Sequence, residues 1–152
     1  MTAEEPRTPQ QRRADTTARF ENDIDVWVAT ADGRGVPCMV PLSFRWDGTT
    51  FLVSTGRTLP TGRNLAENGG RVRLAFGTTR DVVLVEGAAT VLEAAELAPG
   101  EIEAFAAQSG FDPSSLKTPY PYFRIEPVWI QAWREANEIA GRDLMKDGRW
   151  LV

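Results

Sequence analysis

At 152 residues the chain fits one domain, and folding at this length buries roughly 68–70% of the unfolded surface, enough for a core without staples. A net charge of −4 argues against a general nucleic-acid binder, because phosphate contacts need a basic face. A single cysteine, Cys38, excludes an internal disulfide, and the absence of histidine excludes a Ser-His-Asp triad and a Cys/His zinc site. If the chain is an enzyme, its difficult chemistry belongs to a bound cofactor. No apolar run approaches the ~20 residues of a membrane span, and the start, M-T-A-E-E-P-R-T-P-Q-Q-R-R, lacks the apolar segment of a secretory signal, so a cytoplasmic location is expected.

Residues 1–7 are polar and expected to be disordered. Thr8-Pro9-Gln10-Gln11 reads as a capping box that opens a short helix to about Phe20, with a weak apolar face. A strand is expected over Asp25–Ala31, then a turn at Asp32-Gly33-Arg34-Gly35. Val36 to Trp46 alternates: Val36, Cys38, Val40, Leu42, Phe44 and Trp46 share the core face, and Pro37, Met39, Pro41, Ser43 and Arg45 the other. Its prolines cannot donate to a ladder, so part of this strand lies at an edge or bulge. Asp47-Gly48 is a tight turn into a third strand, Thr50–Thr55. Strands follow at Arg71–Gly77 and Val82–Val91, where Gly87 marks a bulge or a close backbone approach. A helix over Pro99–Ser109 stops at Gly110, and a proline-rich connection leads to a long strand over Tyr122–Glu135, broken at Pro127. The chain closes with a hairpin about Asp147-Gly148. Many short strands with few helices give a mainly β chain, a β-barrel with appended helices. Residues 1–20 are read as a tail and helix, and 21–152 as a single barrel domain.

Charge is unevenly spread. Ser54 to Arg80 carries five arginines (Arg57, Arg63, Arg71, Arg73, Arg80) against Glu67 alone, whereas Asp81 to Asp112 holds seven acids and no base. A locally positive segment in an acidic chain suits a small anionic ligand, and arginine is the better bidentate partner for phosphate. Within S-T-G-R-T-L-P-T-G-R-N-L-A-E-N-G-G (Ser54–Gly70), Pro60 fits the first turn of a short helix and Asn68-Gly69-Gly70 its stop. Ser54, Thr55, Thr58 and Thr61 offer hydroxyls, and Arg57 and Arg63 offer charged donors. The same residues also describe an ordinary capped surface helix, so two readings stand: an anion cradle or a solvated helix. Trp27, Trp46 and Trp150 read as core or rim packing, Cys38 as a buried small hydrophobe and Glu86 as an outward charge. Trp129 and Trp133, four apart on one strand face, are candidates to line a cleft, and Tyr120 and Tyr122 either close it or pack the loop.

The order of V-W-V-A-T-A-D-G-R-G-V-P-C-M-V-P-L-S-F-R-W-D-G-T-T-F-L-V-S-T, R-N-L-A-E-N-G-G-R-V-R-L-A-F and V-V-L-V-E-G-A-A-T-V resembles the pyridoxamine 5′-phosphate oxidase-like family, the flavin-binding split barrels. The resemblance runs from about Ile24 to Val91, more weakly from Phe123 to Arg134. It implies a six-stranded antiparallel split β-barrel, a homodimer with cofactor at the subunit interface, and FMN or the deazaflavin coenzyme F420 as cofactor. It implies backbone contact with the flavin ring at Met39, Val40, Pro41 and Leu42, and a phosphate site among Ser54, Thr55, Arg57, Thr58, Thr61, Arg63 and Asn64. Trp133 and Arg134 match residues that approach the ring from the partner subunit. Thr61 stands where many members carry a phosphate-contacting lysine, which leaves Arg57 or Arg63 to supply the charge. The function so implied is an FMN-dependent oxidoreductase acting on a small molecule, with an F420-dependent reductase or a non-catalytic flavin or small-ligand carrier as alternatives. No histidine is available for the substrate contacts of the true pyridoxamine phosphate oxidases, so pyridoxal phosphate is not the expected product.

Overall fold

The computed structural model describes residues 4–152. Within them the elements run α1 (Pro9–Asn22), β1 (Asp25–Ala31), β2 (Pro37–Trp46), β3 (Phe51–Ser54), α2 (Pro60–Ala66), β4 (Arg71–Thr78), β5 (Asp81–Leu92), α3 (Glu101–Ser109), β6 (Tyr122–Trp133), β7 (Asp143–Lys146) and β8 (Arg149–Trp150). The strands pair antiparallel in the order β3-β2-β1-β4-β5-β6, and β3 pairs again with β6, which closes a six-stranded barrel. β7 and β8 extend the sheet as a hairpin from the far half of β6. This is the mainly β, antiparallel barrel that the short, alternating strands predict. None of these helices is long and apolar enough to cross a membrane.

Alternation fills the interior. Val26 and Val28 of β1, Phe44 and Trp46 of β2, Val72, Leu74 and Phe76 of β4, and Val83 and Val85 of β5 form one core cluster. α1 plugs one end of it. Phe20 is fully buried, with its ring 4.8–5.0 Å from those of Trp46, Phe51 and Phe76. Burying one such side chain contributes about 1.5–3 kcal/mol. The capping box at Thr8 and Gln11 forms as predicted, and the helix runs on to Asn22 rather than ending at Phe20.

The N-terminal residues differ from expectation. Glu4 and Arg7 are not free of the fold: the Glu4 carbonyl accepts from Asn137 Nδ2, and Arg7 donates to the carboxylate of Glu138 through its backbone N, Nε and Nη2. Residues 1–3 of the expected disordered tail lie outside the described residues.

β6 is also not broken at Pro127; it continues through a bulge. Gly87 faces Pro127 and Glu86 faces Trp129, so Val128 is the extra residue. The insertion flips the alternation, which lets Phe123 and Ile125 before it and Ile130 and Ala132 after it all enter the core. A Cβ on Gly87 would lie 2.7 Å from the Glu126 carbonyl oxygen, so the close approach predicted there is real. Trp27 departs from its expected packing role: it is 47% exposed on the outer wall of the barrel. Residues 93–121 build a smaller apolar cluster on the outside of β3, with Leu52, Phe105 and Tyr122 at its centre.

Candidate functional site

β2 pairs with β1 along residues 37–43 but with β3 only at Phe44, Arg45 and Trp46. The edge of Pro37–Leu42 that turns away from β1 therefore has no ladder partner among the described residues. Two prolines, Pro37 and Pro41, lie in this half, where a missing N–H breaks the fewest bonds. The barrel splits here, and α2 fills part of the gap. Leu65 anchors α2 in the core, Asn64 Nδ2 donates to Thr30 Oγ1 at 3.1 Å, and Thr61 Oγ1 lies 3.4 Å from Cys38 Sγ. Gly62 lets the start of α2 rest on the loop before it, because a Cβ there would collide with the Gly56 carbonyl.

Between the split edge and α2 lies a cavity of about 640 Å³. The turn residues Asp32 and Arg34, the β2 residues Pro37 and Cys38, and Pro60, Arg63, Asn64 and Glu67 wall it. Two guanidinium groups and two carboxylates thus share its rim. Arg34 is only loosely paired with Asp32, at 3.9 Å, and Arg63 makes no ion pair among the described residues. Asp32 Oδ1 is engaged by the backbone N–H groups of Arg34 and Val36, which shapes the turn beside the cavity. Cys38 is half-buried on the wall rather than sealed in the core.

The predicted phosphate residues fall into two groups. Ser54, Thr55, Thr61 and Asn64 are buried; the Ser54 hydroxyl donates to the Pro121 carbonyl, and Thr61 and Asn64 bond within the fold as above. Arg57, Thr58 and Arg63 are exposed, but Arg57 is held by Glu93 at 2.6 Å. The first residue before α2, Leu59, provides no side-chain cap, so neither Thr58 nor Thr61 caps this helix. Met39 and Pro41 face outward from the open edge, while Val40 and Leu42 turn toward the barrel. Trp133 and Arg134 lie elsewhere: Trp133 pairs with Val82, and Arg134 reaches Asp81 at 3.3 Å and Asp15 at 3.7 Å. These contacts are at the opposite end of the strands from Arg63.

Arg34 and Asp32 are site residues that the sequence reading missed. The turn directly preceding the open edge was the available signal. A shallower groove of about 330 Å³ continues along the ends of β1 and β4, where Glu86 sits between Arg71 (3.7 Å) and Arg73 (3.3 Å). Glu86 is thus an outward charge, as expected, and a paired one. Arg73 also stacks 5.6 Å from the Trp129 ring. Trp129 Nε1 and Gln131 Nε2 both donate to Asp143 Oδ1, and these bonds, Gln131's first, hold its carboxyl below the usual carboxylate range.

Comparisons with known proteins agree with this architecture. A putative pyridoxamine 5′-phosphate oxidase from Listeria innocua is 17% identical over 80% of this chain and 98% of its own, with a TM-score of 0.63. HutZ, the heme storage protein of Vibrio cholerae, is 14% identical over 91% and 99%, with a TM-score of 0.61. An F420 reductase is 16% identical over 74% and 93%, with a TM-score of 0.59. No curated protein matches the chain by sequence. The family model described as pyridoxamine 5′-phosphate oxidase matches residues 16–134, from the middle of α1 to the end of β6. With its six-stranded barrel closed by β3 and β6 and split beside α2, the chain belongs to the pyridoxamine 5′-phosphate oxidase-like split-barrel family.

Proposed function

We propose that the chain binds a phosphate-bearing flavin-type cofactor, FMN or coenzyme F420, between β2 and α2, and works as an oxidoreductase on a small organic molecule. The observation that carries this reading is the unpaired edge of Pro37–Leu42 beside a cavity of about 640 Å³ rimmed by Arg34 and Arg63. Such an edge offers backbone N–H and C=O groups to the rim of a flat heterocycle, and guanidinium groups offer charged donors to a phosphate. The volume lies within the ~300–1,000 Å³ usual for small-molecule sites. The donor set fits a phosphate held chiefly by Arg63, with Arg34 on the same rim, rather than by the buried hydroxyls of Ser54 and Thr61. When bound, the cofactor supplies the hydride chemistry. The chain holds the ring along Met39–Leu42, keeps water from one face and leaves the other to substrate.

The working unit in this proposal is a homodimer. The outer wall of the barrel carries Pro41, Trp27, Ala75 and Leu84 in one cross-strand row and Met39 and Ala29 in the next. Met39 is 64% exposed and Trp27 47%, an apolar surface of the kind that seats a partner. A second copy seated there brings its Trp133 and Arg134, remote from Arg63 within one chain, within reach of the cofactor.

The visible spectrum of the purified chain and titration with FMN and F420 test the reading. Binding of one of them at micromolar concentrations is expected, and binding of neither sinks it. Hemin belongs in the same titration because HutZ is described as a heme storage protein. This chain has no histidine to ligate the iron, so hemin preferred over both flavins would replace the proposal with a porphyrin-binding one. A carrier role without catalysis is the second reading. The commitment of Ser54, Thr61 and Asn64 to bonds within the fold favours it. Cofactor binding without oxidation of the reduced form by any acceptor would decide for it.

A further inference from the structure

The buried stripe of α1 is Arg12, Thr16 and Phe20, one residue per turn. Phe20 completes the barrel core, but the other two are polar. Each has a buried atom without a hydrogen-bond partner among the described residues, Arg12 Nε and Thr16 Oγ1. Arg12 is 4% exposed, and its guanidinium meets only carbonyl oxygens: those of Gly141 at 2.8 Å, Glu138 at 3.3 Å and Ala132 at 3.4 Å. Among the described residues it has no carboxylate partner.

A cavity of about 200 Å³ opens beside Thr16, between α1 and the barrel, lined also by Arg7, Asp15, Arg19, Asp81 and Arg134. The charges around it are matched. Arg7 bridges Asp15 at 3.1 Å and Glu138 at 2.8 Å, Arg19 holds Asp81 at 2.8 Å, and Arg134 spans Asp81 and Asp15. Three guanidinium groups and two carboxylates line the cavity. Glu138, outside the lining, is paired with Arg7, and Arg12, also outside it but one turn before Thr16 on the same buried face of α1, remains a buried positive charge with no carboxylate partner among the described residues.

We propose that the cavity under α1 binds a single small monovalent anion of halide type, which accepts a hydrogen bond from the Thr16 hydroxyl and compensates Arg12. Buried charges in folded proteins are paired, and buried donors are satisfied. A water molecule answers the hydroxyl but not the charge. A doubly charged phosphate or sulfate overshoots a single excess positive charge and meets the carboxylates of Asp15 and Asp81 in the cavity wall. A monovalent acceptor answers both needs. Its position between α1 and the barrel makes the seating of α1, and of Phe20 below it, dependent on that anion.

The test is thermal unfolding of the full chain at constant ionic strength, with gluconate replaced by chloride or bromide. Ligand linkage predicts a saturable rise in Tm, about 3–6 °C at a tenfold excess over the dissociation constant for a chain of this size. Thr16→Val, of the same shape, loses the rise, and so does Arg12→Met, which removes the excess charge. Arg63→Ala, in the groove beside β2, keeps it, so this site and the cofactor site succeed or fail separately. Crystals of the unaltered chain grown in bromide give an anomalous peak within hydrogen-bond distance of Thr16 Oγ1. Equal Tm in both salts, a full rise in Thr16→Val, or bromide at surface arginines only overturns the proposal.

Discussion

Replacing Glu138 with glutamine removes the anion at the centre of the clasp that ties the N-terminal segment to the barrel. Glu138 is 2% exposed and accepts four hydrogen bonds, from Arg7 N (2.9 Å), Nε (3.0 Å) and Nη2 (2.8 Å) and from Arg134 N (2.8 Å). The Arg7 side chain is the largest influence on its carboxyl. Burial opposes it, and the two backbone N–H groups reinforce it, so the carboxyl is lowered from 4.5 to about 2. At 1.36 kcal/mol per pKa unit, the folded state gains about 3 kcal/mol from this group at neutral pH. Because the folded value lies below the unfolded one, the gain is fully present above about pH 5 and is lost as pH falls toward 2. Urea unfolding of Glu138→Gln and the unaltered chain at pH 7 reads a difference of about 3 kcal/mol, equivalent to about 6–12 °C in Tm for a domain of this length. At pH 3 the difference shrinks to about half. Equal stabilities at pH 7, or a difference unchanged at pH 3, would refute the assignment of the clasp to a charged Glu138.

Three further outcomes follow from the site and its supports. Arg63→Ala weakens FMN or F420 binding about tenfold or more in a fluorescence titration, the scale of one lost charged hydrogen bond; unchanged affinity means the phosphate lies elsewhere. Gly62→Ala forces α2 off the Gly56 carbonyl, costs about 1–3 kcal/mol in urea unfolding and lowers cofactor affinity with it. A stability within 0.5 kcal/mol of the parent, roughly the noise of a surface change, contradicts that close contact. Trp27→Glu places a charge in the middle of the outer apolar wall, and sedimentation equilibrium is expected to read a monomer with unchanged far-ultraviolet circular dichroism. A dimer of undiminished strength moves the interface to another face.

Much of the barrel was legible in the sequence because local chemistry sets it. The alternation from Pro37 to Trp46, the turns at Asp32–Gly35, Asp47-Gly48 and Asp147-Gly148, and the capping box at Thr8 are short-range patterns whose physics needs no distant partner; Val36, expected on the core face, instead lies before β2 and is exposed. β6 shows where that stops. Its bulge at Val128 lets Ile125 and Ile130 share one core, and a period-two reading cannot anticipate the flip. Trp27 reads from the sequence as core or rim packing because large aromatics are usually buried; its place in the strand register turns it outward, beside Pro41 and Ala75.

The candidate site divides the same way. The sequence alone identified Ser54–Gly70 as the segment opening a short helix after a strand, and Arg63 as a charge upon it. Only the tertiary structure decided which of its polar groups are free. Ser54 was claimed by Pro121, Thr61 by Cys38, Asn64 by Thr30 and Arg57 by Glu93, all partners 20 or more residues away in the chain. The same holds under α1, where the weak apolar face read from the sequence became a buried stripe with an uncompensated arginine once β6 and the Glu138 turn closed over it. Propensity and periodicity act over a few residues and so can be read along the chain. Whether a hydroxyl or guanidinium is satisfied depends on which distant backbone folds against it, and that is fixed only when the barrel closes.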